Sequence, residues 1–129
     1  IEIGKAVTKC RGGKIALLSF GPILAEVEKA GKTLGATVVD MRFIKPLDVS
    51  LLTEISQSHQ VIITIEDNAI AGGAGSGVNE YVLSQGLSVK VLNIGLPDQF
   101  IKHGSQEEIH HELGLDHQNI VEKVNTFIA

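Results

Sequence analysis

The chain has 129 residues, 43% of them hydrophobic and 20% charged, with a formal net charge of −4. That length suits one domain able to bury a core without disulfides or metals, and no apolar run approaches the roughly 20 residues of a membrane-crossing helix. Eleven scattered basic residues, 4% aromatics and no tryptophan exclude the basic face with stacking aromatics that a nucleic-acid binder presents.

The first segment, Ile1 to Cys10, does not begin with Met and has no helix start signal, which reads as the entry to a piece of a longer chain. The lone Cys10 rules out an internal disulfide, fits a reducing compartment, and is expected as a small half-buried residue on an early strand. Gly12-Gly13 forms a two-residue turn that predicts a hairpin between Ala6–Cys10 and the strand Lys14–Ser19. Gly21-Pro22 breaks that strand, and proline suits a first helical position. Ile23, Leu24, Val27, Ala30 and Leu34 then recur at helical spacing until Gly35 stops the helix. Ala36–Met41 is a short buried strand leading into Arg42, and Pro46 holds Lys45 extended. Asp48 is a good N-cap for a helix with Leu51, Leu52 and Ile55 on one face. Val61–Ile65 is a third apolar strand, followed by Glu66-Asp67-Asn68 and the glycine-rich run Gly72 to Gly77. Val78, Tyr81 and Val82 mark the buried side of the next helix, which ends near Gly86. Val89–Ile94 is the last strand, closed by Gly95 and Pro97. Ser105 to Glu108 reads as a capping box before a short helix stopped at Gly114. Asp116 caps a final helix with Ile120, Val121, Val124, Phe127 and Ile128 facing inward.

Apolar strands alternating with helices imply a mostly parallel sheet covered on both faces, so residues 1–129 form a single domain, a three-layer α/β/α sandwich. Ligands of such sheets lie at the carboxyl ends of the strands, here Phe20-Gly21, Asp40 to Arg42, Glu66 to Asn68 and Asn93 to Gly95.

The glycine run at one of these ends has two readings. A helix entry offers free N–H groups and the positive end of a dipole to an anion, and glycines admit close approach; the same residues also make a tight packing joint. A dinucleotide fingerprint fails, because the glycine spacing is wrong, about six residues separate strand from glycines, and the next strand ends in Asn93 instead of an acid. No Walker A lysine follows, and the first parallel strand ends in Ser19-Phe20-Gly21, without the acids of a phosphoacceptor domain. His59, His103, His110, His111 and His117 lack metal-ligand spacing and read as a solvated helix face. Glu66 and Asp67 read as capping the following turn more readily than as a general acid or base. No nucleophile stands beside a base in a recognisable motif. Arg42, Glu66, Asn68, Gly72, Gly73, Gly75, Ser76 and Gly77 remain as candidate anion-site or domain-interface residues, with no catalytic, cofactor or metal residue assigned.

DMRFIKPLD (Asp40 to Asp48), EDNAIAGGAGSGVNE (Glu66 to Glu80), VLNIGLPDQFIKHGSQEE (Val91 to Glu108) and LGLD (Leu113 to Asp116) together resemble the C-terminal domain of the 1-deoxy-D-xylulose-5-phosphate synthases. These are thiamine-diphosphate enzymes of the transketolase class, and the resemblance runs over essentially the whole chain. The first two segments are similar to those of transketolases and of 2-oxo acid dehydrogenase β subunits as well; Gly95 to Gly104 narrows the likeness to the synthases. The alternatives are a C-terminal domain from one of those other enzymes or a small phosphate- or effector-binding module.

The resemblance implies a five-stranded mixed sheet with one antiparallel strand. It implies a parent enzyme that condenses pyruvate with glyceraldehyde 3-phosphate, with loss of CO₂, for non-mevalonate isoprenoid synthesis. That enzyme uses thiamine diphosphate and Mg²⁺, is a homodimer, and sits in the cytoplasm, or in the plastid of a plant or alga. The diphosphate-binding G-D-G…N pattern is absent here, so the expected partners of this segment are the preceding domains, and it is expected to hold no cofactor and to be inactive alone.

Overall fold

The computed structural model describes residues 5–21, 23–42, 47–66, 73–95 and 117–129. Nine elements follow one another in these residues: β1 (Val7–Cys10), β2 (Ile15–Phe20), α1 (Leu24–Leu34), β3 (Thr37–Asp40), α2 (Val49–Ser58), β4 (Val61–Glu66), α3 (Ala74–Ser84), β5 (Lys90–Gly95) and α4 (His117–Ile128). The short helix and capping box expected between Ser105 and Gly114, and the cap expected at Asp116, lie outside the described residues. So do Pro22, Lys45 and Pro46.

The strands form one sheet in the order β1-β3-β2-β4-β5. β2, β3, β4 and β5 are parallel, and β1 runs antiparallel on the edge beside β3. Alternation along the strands divides the core in two. Leu17, Val38, Ile63 and Ile65 pack with Val27 and Ala30 of α1 and Ile120 and Val124 of α4. Leu18, Phe20, Val39 and Ile62 pack on the other face with Leu52 and Ile55 of α2 and Val78 and Val82 of α3. All six residues of β4 are buried, and each fully buried Leu, Ile or Phe contributes roughly 1.5–3 kcal/mol relative to exposure. The expected sandwich of helices on both faces of a five-stranded mixed sheet is what the chain forms.

The predicted hairpin is corrected, because β1 pairs with β3 and not with β2. Gly12 explains the choice. A Cβ there would lie 2.3 Å from the carbonyl oxygen of Gly35 and 2.5 Å from the carbonyl carbon of Ala36. The chain therefore presses against the entry of β3 at this point, where Gly12 N–H donates to Thr37 Oγ1 at 2.9 Å and Gly13 N–H to Gly35 O at 2.9 Å. That contact carries β1 past β2 to the outside of β3.

Edge position also corrects the reading of Cys10, which is exposed. Phe127 and Ile128 do not face inward as expected: they are 37% and 45% exposed, because the last turn of α4 overhangs the amino ends of the strands beside Lys90. Among the described residues no helix is long and apolar enough to cross a membrane.

Candidate functional site

The carboxyl ends of the strands carry the charged and glycine residues that the sequence marks. Glu66 closes β4 opposite Phe20. By alternation with Ile62 and Thr64 its side chain lies on the face covered by α2 and α3. It is 7% exposed, and its Oε2 accepts the N–H of Gly75 at 2.7 Å. The cause is local. Gly73 is the N-cap of α3 with φ 82, and having no side chain it leaves the first-turn amides without an internal acceptor. A carboxylate from the preceding strand supplies one, at the end of the helix where the dipole is positive. A buried carboxylate therefore stands at the position an incoming anion would take.

Gly75 packs closely. A Cβ on it would lie 2.9 Å from Asn93 Nδ2 and 3.0 Å from Thr64 Oγ1. Asn93 Nδ2 donates to Thr64 Oγ1 at 2.6 Å, and Asn79 Nδ2 of α3 donates to Asn93 Oδ1 at 2.7 Å, so a short polar ladder ties α3 across β4 and β5. Ser76 is exposed. Gly77 has open space where a side chain would go, and its N–H bonds Gly73 O at 3.2 Å. Asn68 and Gly72 lie outside the described residues.

Arg42 ends the buried run of β3. It is exposed, and its backbone sits at φ 60, a left-handed conformation that costs a side-chain-bearing residue roughly 1–2 kcal/mol. Its N–H donates to Asp40 Oδ1 at 3.2 Å. The sheet order inserts β2 between β3 and β4, so the strands bearing Arg42 and Glu66 are on the order of 10 Å apart. The structure therefore brings Glu66, Gly73 and Gly75 together and leaves Arg42 apart from them.

Sequence reasoning missed another carboxylate at a helix start. Glu26, 8% exposed on α1, accepts at Oε1 from the backbone N–H of His117 at 3.2 Å and meets His117 Nδ1 at 3.3 Å. Lys29 Nζ lies 3.1 Å from its other oxygen. Burial raises the pKa of this carboxyl, but the bonds from Lys29 and His117 outweigh it and hold the group below its ordinary value. The available signal was an acid standing within the apolar stripe of Ile23, Val27 and Ala30.

His59 is likewise corrected from a solvated face to a 9% exposed position. Its Nε2 lies 2.7 Å from Thr37 Oγ1 and its Nδ1 lies 3.1 Å from Ile55 O. Ser58 Oγ also lies 2.9 Å from Nδ1, so both ring nitrogens meet polar partners within the domain. Clefts of about 660 Å³ and 600 Å³ flank β5, the first at the amino ends of the strands beside Lys14, His59 and Lys90, the second between β5 and α4. Among the described residues no group of three or more His, Cys, Asp or Glu could hold a metal ion.

Residues 4–120 match the family described as transketolase, C-terminal domain. The chain is 55% identical over 128 residues to a 1-deoxy-D-xylulose-5-phosphate synthase of Pseudoalteromonas translucida, covering 99% of this chain and 21% of that protein. It is 51% identical over 129 residues to the synthase of Escherichia coli, covering all of this chain and again 21% of the relative. Among solved structures it resembles a split-gene transketolase in the form of an inactive β4 tetramer, with a TM-score of 0.84 and 27% identity over 98% of this chain and 43% of that one. The chain thus spans about a fifth of the length of the curated relatives it matches.

Proposed function

We propose, because the chain belongs to the transketolase C-terminal domain family, that it is the non-catalytic C-terminal domain of a 1-deoxy-D-xylulose-5-phosphate synthase. The parent enzyme condenses pyruvate with glyceraldehyde 3-phosphate in a bacterial cytoplasm, or in a plastid if the source is a plant or alga. The carrying observation is identity of 55% and 51% to synthases over essentially the whole chain, against 27% to a transketolase chain of the same fold.

The full-length enzyme uses thiamine diphosphate and Mg²⁺. The described residues at the entry to α3 do not suit that group. The entry to α3 is filled by the Glu66 carboxylate at 2.7 Å from Gly75 N, which would repel a diphosphate. The role left to the domain is architectural. It packs on the preceding domains of its own chain and supports the homodimer, a reading consistent with self-association of the split-gene transketolase β chain into a tetramer.

A two-part assay tests this. The isolated chain, given thiamine diphosphate, Mg²⁺, pyruvate and glyceraldehyde 3-phosphate, is expected to form no product, and turnover by purified protein would refute the non-catalytic role. Substituting the chain for the matching segment of the Escherichia coli synthase is expected to preserve activity. A folded but inactive hybrid would count against the assignment.

A further inference from the structure

We infer that Arg42 is a docking residue whose guanidinium takes a carboxylate side chain presented by the preceding domains of the full-length enzyme. The inference rests on the C-terminal-domain reading and carries it to one contact.

Arg42 is the one non-glycine residue with positive φ among the described residues. Glycine or asparagine would adopt that backbone with less strain. Among the described residues the arginine side chain makes no contact that would offset the strain. It is exposed, and among the described residues its guanidinium makes no hydrogen bond or ion pair, whereas Arg11 bonds Glu54 at 2.9 Å. Its own N–H bonds Asp40 Oδ1 at 3.2 Å, a bond any residue there could make.

Register supplies the location. β1 runs antiparallel to β3 with Val7 opposite Asp40, so residues 5 and 6, through which the chain enters the domain, lie beside Arg42. Ala6 N–H is pinned there by Asp48 Oδ2 at 2.9 Å. In an enzyme that carries this family's domain at its C-terminus, the other domains lead into β1, whose start is on the Arg42 side of β3. A forked guanidinium presented on a strained turn suits a carboxylate, which it can bind through two parallel bonds.

The test uses the full-length enzyme as wild type, Arg42→Gly, Arg42→Asn and Arg42→Lys, followed by amide hydrogen exchange. In the glycine and asparagine variants, exchange across residues 5–10 and 37–42 is expected to accelerate roughly fivefold or more. The lysine variant, keeping the charge but not the fork, is expected between these and wild type, and high salt should narrow the differences. Wild-type protection in Arg42→Gly would overturn the inference. So would failure of Arg42→Gly to fold, because glycine suits this backbone and such a failure would place the arginine's role inside the domain. Turnover of the wild type separates the two ideas: an inactive wild type sinks the synthase assignment, whereas an active one with an unaffected Arg42→Gly sinks the docking contact alone.

Discussion

A methyl group added at Gly73, Gly75 or Gly77 in turn tests what each glycine of the α3 entry does. At Gly75 the new Cβ would lie 2.9 Å from Asn93 Nδ2, 3.0 Å from Thr64 Oγ1 and 3.1 Å from Asn93 Cγ. Asn93 can swing aside only by leaving its 2.6 Å bond to Thr64 Oγ1. Thr64 is fully buried, and a buried hydroxyl without a partner costs about 1–3 kcal/mol. Shifting the helix instead would stretch the 2.7 Å bond between Gly75 and Glu66. Alanine recovers at most ~1 kcal/mol of helix propensity, so Gly75→Ala should lose about 1–2 kcal/mol net. Gly77 has no atom within 4 Å of the same methyl, and Gly77→Ala should gain roughly 0.5–1 kcal/mol. Gly73 also has open space but sits at φ 82, so Gly73→Ala should lose about 1–2 kcal/mol through backbone strain. Urea denaturation reads all three. Repeating the series in an Asn93→Ala background should shrink the Gly75 penalty and leave the Gly73 penalty intact. The packing argument fails if Gly75→Ala is as stable as wild type, or if its cost is unchanged once Asn93 is gone.

Further outcomes follow from other contacts. Glu66→Gln removes the charge from a buried bond at a helix start and should cost about 1–3 kcal/mol by chemical denaturation; an unchanged midpoint would mean that the carboxylate is not a stabilising cap. Glu26 has its pKa held below the ordinary 4.5, so its contribution is present above that value and is lost as pH falls through the lower folded-state value. The stability gap between wild type and Glu26→Gln should therefore close on acidification below about pH 4.5, and a gap that widens in acid would reverse the assigned sign. Gly12→Ala would force a methyl to 2.3 Å from a backbone oxygen, and a loss of about 3 kcal/mol or more should appear as a large drop in Tm; a tolerated alanine would show that β1 is not held by this contact.

Much of the fold was legible because the signals are local. The apolar spacing from Ile23 to Leu34 and the stop at Gly35, which has φ 65, mark α1 without reference to anything distant. Asp48 was recognisable as an N-cap because its acceptor bond reaches Leu51, only one turn away, at 3.1 Å. The apolar run of β4 announced a central strand buried on both sides. At the site, a carboxylate and glycines at a strand end were visible, and so was the possibility that the acid caps the next turn.

The amino-acid sequence by itself determined which of the described segments are helix or strand, that the sheet is mostly parallel, and that the chain resembles one enzyme family over essentially its whole length. Periodicity encodes which face of an element is apolar, and that information lies within a turn or a few residues. Which element lies beside which is settled by packing, and tertiary structure alone placed β1 against β3, through the backbone contact at Gly12. It also brought Glu26 to His117 across 91 residues and buried His59 against Thr37. At the glycine turn it filled the start of α3 with the Glu66 carboxylate. A hydrogen bond between distant residues depends on register and on the order of strands in space, and neither is written in the local pattern of either partner.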